Sequence, residues 1–215
     1  KEKMHMRVLA ITPIHVGPEE LARRQRRYDR LAPEGMSVTV VDLPIQAPTA
    51  LGTDADVEAS DHLVAEVIAR HDGEFDYVLP DCVLDPGVEA EPASEAERVV
   101  GLLQQAMVQV AATGERYGVI VRNQAIAKEM RRRLELYSLG ENLVDIHVLD
   151  LPFEAVTDHE MWNNAMNQGV RTLGASGAST VINGCSAVDL ADEDLGVNVI
   201  DPTQAALAQI ARAQN

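Results

Sequence analysis

Two apolar runs in this chain end alike, Tyr77-Val78-Leu79-Pro80-Asp81-Cys82 and Thr180-Val181-Ile182-Asn183-Gly184-Cys185, and these are the chain's only two cysteines. Ahead of each lies the same succession of patterns: strand, helix, strand, helix, strand, then cysteine. The first succession runs from Val8 to Cys82 and the second from Val119 to Cys185. Alternating strands and helices imply an α/β fold with parallel sheets. The repetition implies two pseudo-symmetric lobes, each a parallel sheet flanked by helices. In such sheets the loops at the strands' C-terminal ends face the ligand crevice. Both cysteines therefore fall at the mouth of a lobe, with an active site expected in the cleft between lobes.

Individual elements follow from local pattern. Met6 to Ile11 is nearly continuous apolar sequence, as in a strand buried on both faces. Pro18, with Glu19 and Glu20, opens a helix to about Leu31. Ser37–Val41 is a β-branched strand, a Pro-rich loop spans 42–52, and Asp56–Arg70 has mostly helical spacing. Glu89–Glu97 reads as a loop or short helix between lobes. Val99-Val100 is a short strand before a helix over Leu102–Ala112, with Gly114 as its C-cap. Strands follow at Tyr117–Val121, Val144–Leu149, Thr180–Ile182 and Val197–Ile200. Asn123 caps a helix to about Leu136, Thr157-Asp158-His159-Glu160 reads as a capping box, and Thr203–Ala213 is the last helix. The expected division is 6–98 plus 201–215 for the Cys82 lobe and 99–200 for the Cys185 lobe. Residues 1–5 read as a tag remnant or unordered leader, with a native start expected at Met6.

Composition narrows the function classes. Of the 215 residues 46% are hydrophobic and only 3% aromatic, so the core must be aliphatic. A net charge of −16 argues against nucleic acid or an anionic membrane as partner. The basic cluster Arg23-Arg24-Gln25-Arg26-Arg27 is expected to form a solvated helix face. No apolar run reaches the roughly 18 residues of a membrane span. With two cysteines and no leader pattern, a cytoplasmic protein with reduced thiols is expected. The expected partner is a small-molecule substrate, and the chain is open to homo-oligomer formation.

A thiolate is a competent base and a thiol a competent acid once the pKa is tuned toward working pH. Ser186–Asp189 and Asp85–Val88 are each plausible first turns of a helix, whose N–H groups would favour the adjacent thiolate. A base on one face of a carbon and an acid on the other invert it without moving the substrate, as a cofactor-independent racemase or epimerase requires. Taken singly, either cysteine reads as a small buried hydrophobe; their matched positions favour the catalytic reading. A zinc site is disfavoured, because neither cysteine has a partner at ligand spacing. For a Cys–His hydrolase, His15 or His147 lacks an identifiable orienting group.

These residues resemble the aspartate/glutamate/hydantoin racemase superfamily, most closely its hydantoin racemase branch. Cys82-Val83-Leu84-Asp85-Pro86-Gly87 is similar to that branch's Cys-x-x-Asp-Pro-Gly loop, Val99-Val100-Gly101 to its Val-Val-Gly segment, Gly184-Cys185 to the second Gly-Cys, and Val199-Ile200-Asp201-Pro202 to the closing strand. The resemblance implies two flavodoxin-like lobes, with the last helix returning to the first. It also implies proton exchange alpha to a carbonyl without metal or cofactor, on a hydantoin-, allantoin- or amino-acid-like substrate. Cys82 and Cys185 would be the acid/base pair. Thr12, His15, Gln46, Val83, Arg122, Asn123, Asn183, Gly184 and Ser186 would supply substrate contacts. Arg122 would either clamp a carboxylate or project to solvent, and Asp85 is expected to organise its own turn. Thr12-Pro13-Ile14-His15 stands where the branch carries Asn-Pro-Asn-Thr, Gln104 where it carries Glu, and Arg122 near its usual Thr. Substrate identity therefore stays open. The alternatives are a cis–trans isomerase or decarboxylase of the same fold acting on a small dicarboxylate, and a non-catalytic small-ligand binder.

Overall fold

Strand β1 (Met6–Ile11) exposes only Arg7, and a strand so apolar is stable only with both faces and both edges covered. In the computed structural model, which describes residues 5–70, 74–88, 99–190 and 194–213, β1 lies between β2 (Met36–Val41) and β3 (Tyr77–Pro80). Both pairings are parallel. Helices α1 (Gly17–Leu31) and α2 (Asp54–Arg70) make the two crossovers. Pro18 stands in the first turn of α1 with Glu19 and Glu20, where a missing N–H costs nothing and acids meet the helix dipole.

The second sheet repeats the plan. Its central strand, β4 (Tyr117–Val121), is buried throughout and pairs in parallel with β5 (Leu143–Val148) and β6 (Thr180–Asn183). Helices α4 (Gln124–Leu136) and α5 (His159–Ala175) form its crossovers. A short strand, β7 (Asn198–Ile200), extends the sheet beside β6. Val99 bridges Val78 in parallel, so its segment lies beside β3 as β7 lies beside β6. The fold is therefore α/β, with two parallel sheets flanked by helices. Residues 1–4 and the segment Glu89–Glu97 lie outside the described residues.

Two helices tie the sheets together. Helix α3 (Leu102–Thr113) puts Leu102 among Val8, Ala10 and Leu79 of the first sheet. Its next turns, Leu103, Met107 and Val110, pack with Tyr117, Val119 and Val121 of the second. Helix α6 (Pro202–Arg212) follows β7 and returns Ala206, Leu207 and Ile210 to the first sheet's core. The αL conformation of Gly114 ends α3 as expected of a C-cap.

Three local expectations are corrected. Asp158 rather than Thr157 caps α5, accepting from Met161 N at 3.0 Å. Thr157 is occupied closing a 3-10 turn over Phe153–Val156, its hydroxyl donating to Glu154 O at 3.0 Å. Asp85 does not organise its own turn. Its carboxylate accepts from Leu103 N at 2.9 Å, Gln104 N at 3.0 Å and Tyr137 Oη at 3.0 Å, and so caps α3 from another loop. Gly101 makes room for it, since a Cβ there would lie 2.4 Å from Asp85 Oδ2. Nor is the arginine cluster of α1 a solvated face: Arg24 and Arg27 are buried, because acids from distant loops compensate both.

Candidate active site

The two cysteines are set by the ends of β3 and β6. After β3, Asp81 N donates to Ile11 O at 2.7 Å, continuing the ladder for one residue before the loop turns at Cys82. After β6, Gly184 N donates to Ile120 O at 2.7 Å, and a Cβ at this position would lie 2.2 Å from that oxygen. Only glycine allows so close an approach, which places Cys185 immediately beyond the sheet edge. Asn183 then shapes the exit, its side chain donating to Cys185 O at 2.9 Å and accepting from Cys185 N at 3.2 Å. Both cysteines are free, with Cys82 buried and Cys185 partly so.

The thiols are held in similar ways. Leu84 N–H, two residues beyond Cys82, lies 3.5 Å from its Sγ, and Ala187 N–H bears in the same way on Cys185. The loops over 85–88 and 186–189 are turns, not helix starts. The expected helix N-termini are thus replaced by single amides, too few to offset desolvation. Burial pushes the Cys82 thiol up to about 12, the Leu84 amide opposing and the charges of Asp81 and Asp85 adding to the rise. Burial raises Cys185 too, but there the Ala187 amide and the guanidiniums of Arg24 and Arg122 oppose it. Asp81 bears on both thiols, but only at Cys185 do guanidiniums oppose it.

Helix α1 fastens both cysteine loops. Arg24 donates to Asp81 Oδ2 at 2.8 Å, and Tyr28 Oη donates to Asp81 Oδ1 at 2.9 Å, fixing the residue before Cys82. Arg23 donates to Ala187 O at 2.8 Å and Arg27 to Val188 O at 3.0 Å, fixing the residues after Cys185. Ser186 Oγ joins the loops directly by donating to Asp81 O at 2.8 Å.

Both thiols line one cavity of about 60 Å³. Its polar lining comprises Cys82, Cys185, Ser186, Arg24 and Arg122; Ile14, Leu51, Val83, Ile126, Phe153 and Val156 supply most of the apolar wall. A larger groove of about 400 Å³ between α2 and α4 is lined by residues such as Asp54, Lys128, Glu129 and Arg132. Within it Lys128 pairs with Asp54 and Arg132 with Glu129, and it holds no thiol.

Of the residues expected to bind substrate, Val83, Arg122, Gly184 and Ser186 line the cavity with the cysteines. The others stand elsewhere. Thr12 is buried outside the lining, its hydroxyl donating to Ile14 O at 2.8 Å, standing 3.1 Å from Asp42 Oδ1, and accepting from Leu43 N. His15 Nδ1 lies 3.0 Å from Leu43 O and 3.1 Å from Asp42 Oδ2. Gln46 is exposed on the Pro-rich loop. Asn123 caps α4 through Ile126 N and donates to Leu51 O at 2.7 Å, while Asn183 lies under the Cys185 turn. Arg24 and Asp81 escaped the sequence reading. The one available signal was spacing: Glu20, Arg24, Arg27 and Tyr28 fall on one face of α1.

Residues 19–210 match the sequence profile of the Asp/Glu/hydantoin racemase family. Among solved structures, the chain superimposes on an allantoin racemase from Pseudomonas fluorescens with a TM-score of 0.82 at 18% identity, covering 97% of this chain and 92% of that one. For the allantoin racemase from Klebsiella pneumoniae the TM-score is 0.79 at 21% identity, covering 97% and 87%. A maleate isomerase from Pseudomonas putida aligns over 97% and 92% with a TM-score of 0.60 at 14% identity. No curated protein sequence matches the chain.

Proposed function

The chain belongs to the Asp/Glu/hydantoin racemase family and is an isomerase of the racemase type; from that premise we propose that it exchanges the proton on a carbon alpha to a carbonyl, using Cys82 and Cys185 as paired acid and base and no cofactor. The substrate is a small hydantoin-, allantoin- or amino-acid-like molecule. One observation carries the reading: two free thiols, delivered by the third strands of two matching sheets, line the same small cavity.

The electrostatics divide the roles. Cys185, beside Arg24 and Arg122, is the resting base, and Cys82, near Asp81 and Asp85, is the resting acid. Cys185 removes the Cα proton as its thiolate, and the Cys82 thiol delivers a proton to the opposite face. The product leaves the pair reversed, ready for the other enantiomer. Burial makes each thiolate a stronger base once formed, which suits a weakly acidic carbon. Backbone N–H groups of the two cysteine loops stabilise charge developing on the carbonyl oxygen. Val83, Arg122, Gly184 and Ser186 contact substrate, while Thr12, His15, Asn123 and Asn183 act through the loops they hold. The lobes divide near residues 98 and 200, with α6 completing the first. The enzyme works in the cytosol, where its thiols stay reduced.

The test is solvent exchange in D2O, followed by NMR and polarimetry, on chiral 5-substituted hydantoins, allantoin, aspartate and glutamate. Deuterium at Cα with loss of optical rotation is expected for one of these classes. No exchange with any of them contradicts the proposal.

A further inference from the structure

Four arginines are buried among the described residues: Arg24, Arg27, Arg122 and Arg133. Three have carboxylate partners. Arg24 pairs with Glu20 and Asp81, Arg27 with Asp189 and Asp201, and Arg133 with Glu129 and Asp61. Arg122 makes no ion pair among the described residues. It donates from Nη1 to Leu151 O at 3.2 Å and from Nη2 to Leu51 O at 3.0 Å, and its guanidinium carbon lies 5.6 Å from the Phe153 ring centroid. Exposed Glu154 attracts it without forming an ion pair.

A guanidinium carries five N–H donors, and these two carbonyl contacts occupy two of them. A buried cation held by carbonyls and a ring face is poorly compensated, which is costly unless a ligand completes it. The rest of the environment says where that ligand sits. Arg122 lines the same cavity as the two thiols, and most of the remaining wall is apolar. The guanidinium fork matches a carboxylate in a way that a neutral amide cannot reproduce.

We infer that Arg122 receives a carboxylate of the substrate, so that the enzyme's substrates are small carbonyl compounds bearing one carboxylate. The inference rests on the cavity being the racemase site and deepens that reading. The substrate's carboxylate lies against Arg122, its apolar part against Ile14, Leu51 and Ile126, and its reacting carbon between Cys82 and Cys185. Arg122 also faces Cys185, so its charge serves the thiolate and the substrate anion from one position.

The experiment uses matched acid and neutral probes: hydantoin-5-acetate against 5-ethylhydantoin, and N-acetylalanine against its primary amide. Dissociation constants are measured by calorimetry for wild type, Arg122→Gln and Arg122→Lys, with thermal unfolding confirming that each variant folds. Wild type is expected to prefer the acid by about tenfold or more in at least one pair. Arg122→Gln should reduce that preference to within about twofold, and Arg122→Lys, which keeps the charge without the fork, should retain part of it. Wild type binding neither member of either pair, or both equally, overturns the inference. So does an acid preference that survives in Arg122→Gln, or an equal loss for acid and neutral probes, which would assign the charge to the Cys185 thiolate alone. Exchange at Cα in D2O is scored separately. An acid that binds through Arg122 without exchanging would sink the racemase proposal and leave the anion site standing.

Discussion

Asp85 is fully buried and spends its carboxylate on the N-terminus of α3 and on Tyr137. Burial raises its pKa from 3.8 to about 6, against the pull of the Leu103 and Gln104 amides. The fold therefore favours the protonated form. Its contribution to stability is full below about pH 3.8 and is lost as the pH rises through about 6. The shift corresponds to about 3 kcal/mol. The stability of wild type relative to Asp85→Asn should thus rise by that order between pH 7 and pH 3.5, as read from denaturant unfolding; a difference flat with pH would contradict the assignment. The cysteines supply a second pH signature. With Cys185 raised above a free thiol's ordinary range, the acid limb of kcat/KM should lie on the alkaline side of a free thiol's titration. An acid limb at or below that of a free thiol would contradict it.

Among the elements, α1 has the largest share in positioning the site. Its arginines reach Asp81 before Cys82 and the carbonyls of Ala187 and Val188 after Cys185, so one helix sets the registration of both thiols. Replacing Arg24 by Met leaves Asp81 buried with Tyr28 as its one side-chain donor among the described residues. Removing one partner of a buried pair costs about 3–5 kcal/mol, and adding Asp81→Asn should recover part of the loss in urea unfolding. An Arg24→Met protein within about 0.5 kcal/mol of wild type, the range of a surface substitution, would show that the pair does not hold the loop. This element also marks where sequence reading stops. The helix and its Pro18 start were legible, because they depend on residues a turn apart. The burial of its arginines was not, because their partners lie in loops far along the chain. For the same reason Asp85 read as a turn residue, although the groups it serves are the start of α3 and Tyr137, just past the end of α4.

At the scale of the molecule, two parallel sheets of matching order present their C-terminal loops to one cavity. That order was legible, since strand and helix periodicities differ and the pattern occurs twice. So was the pairing of the cysteines by position. The cavity wall was not. Leu51 reaches it from the Pro-rich loop of the first sheet and is held by Arg122 and Asn123 of the second, a contact that no local pattern encodes. The central claim is that two thiols act on opposite faces of one carbon, and the most direct measurement follows racemisation and Cα deuteration in D2O by wild type, Cys82→Ser and Cys185→Ser. The account predicts that racemisation falls by at least about a thousandfold in both variants, the order lost when an acid/base group is removed. A Cys82→Ser protein that keeps its racemisation rate would contradict it, and would leave Cys185 as the single working thiol.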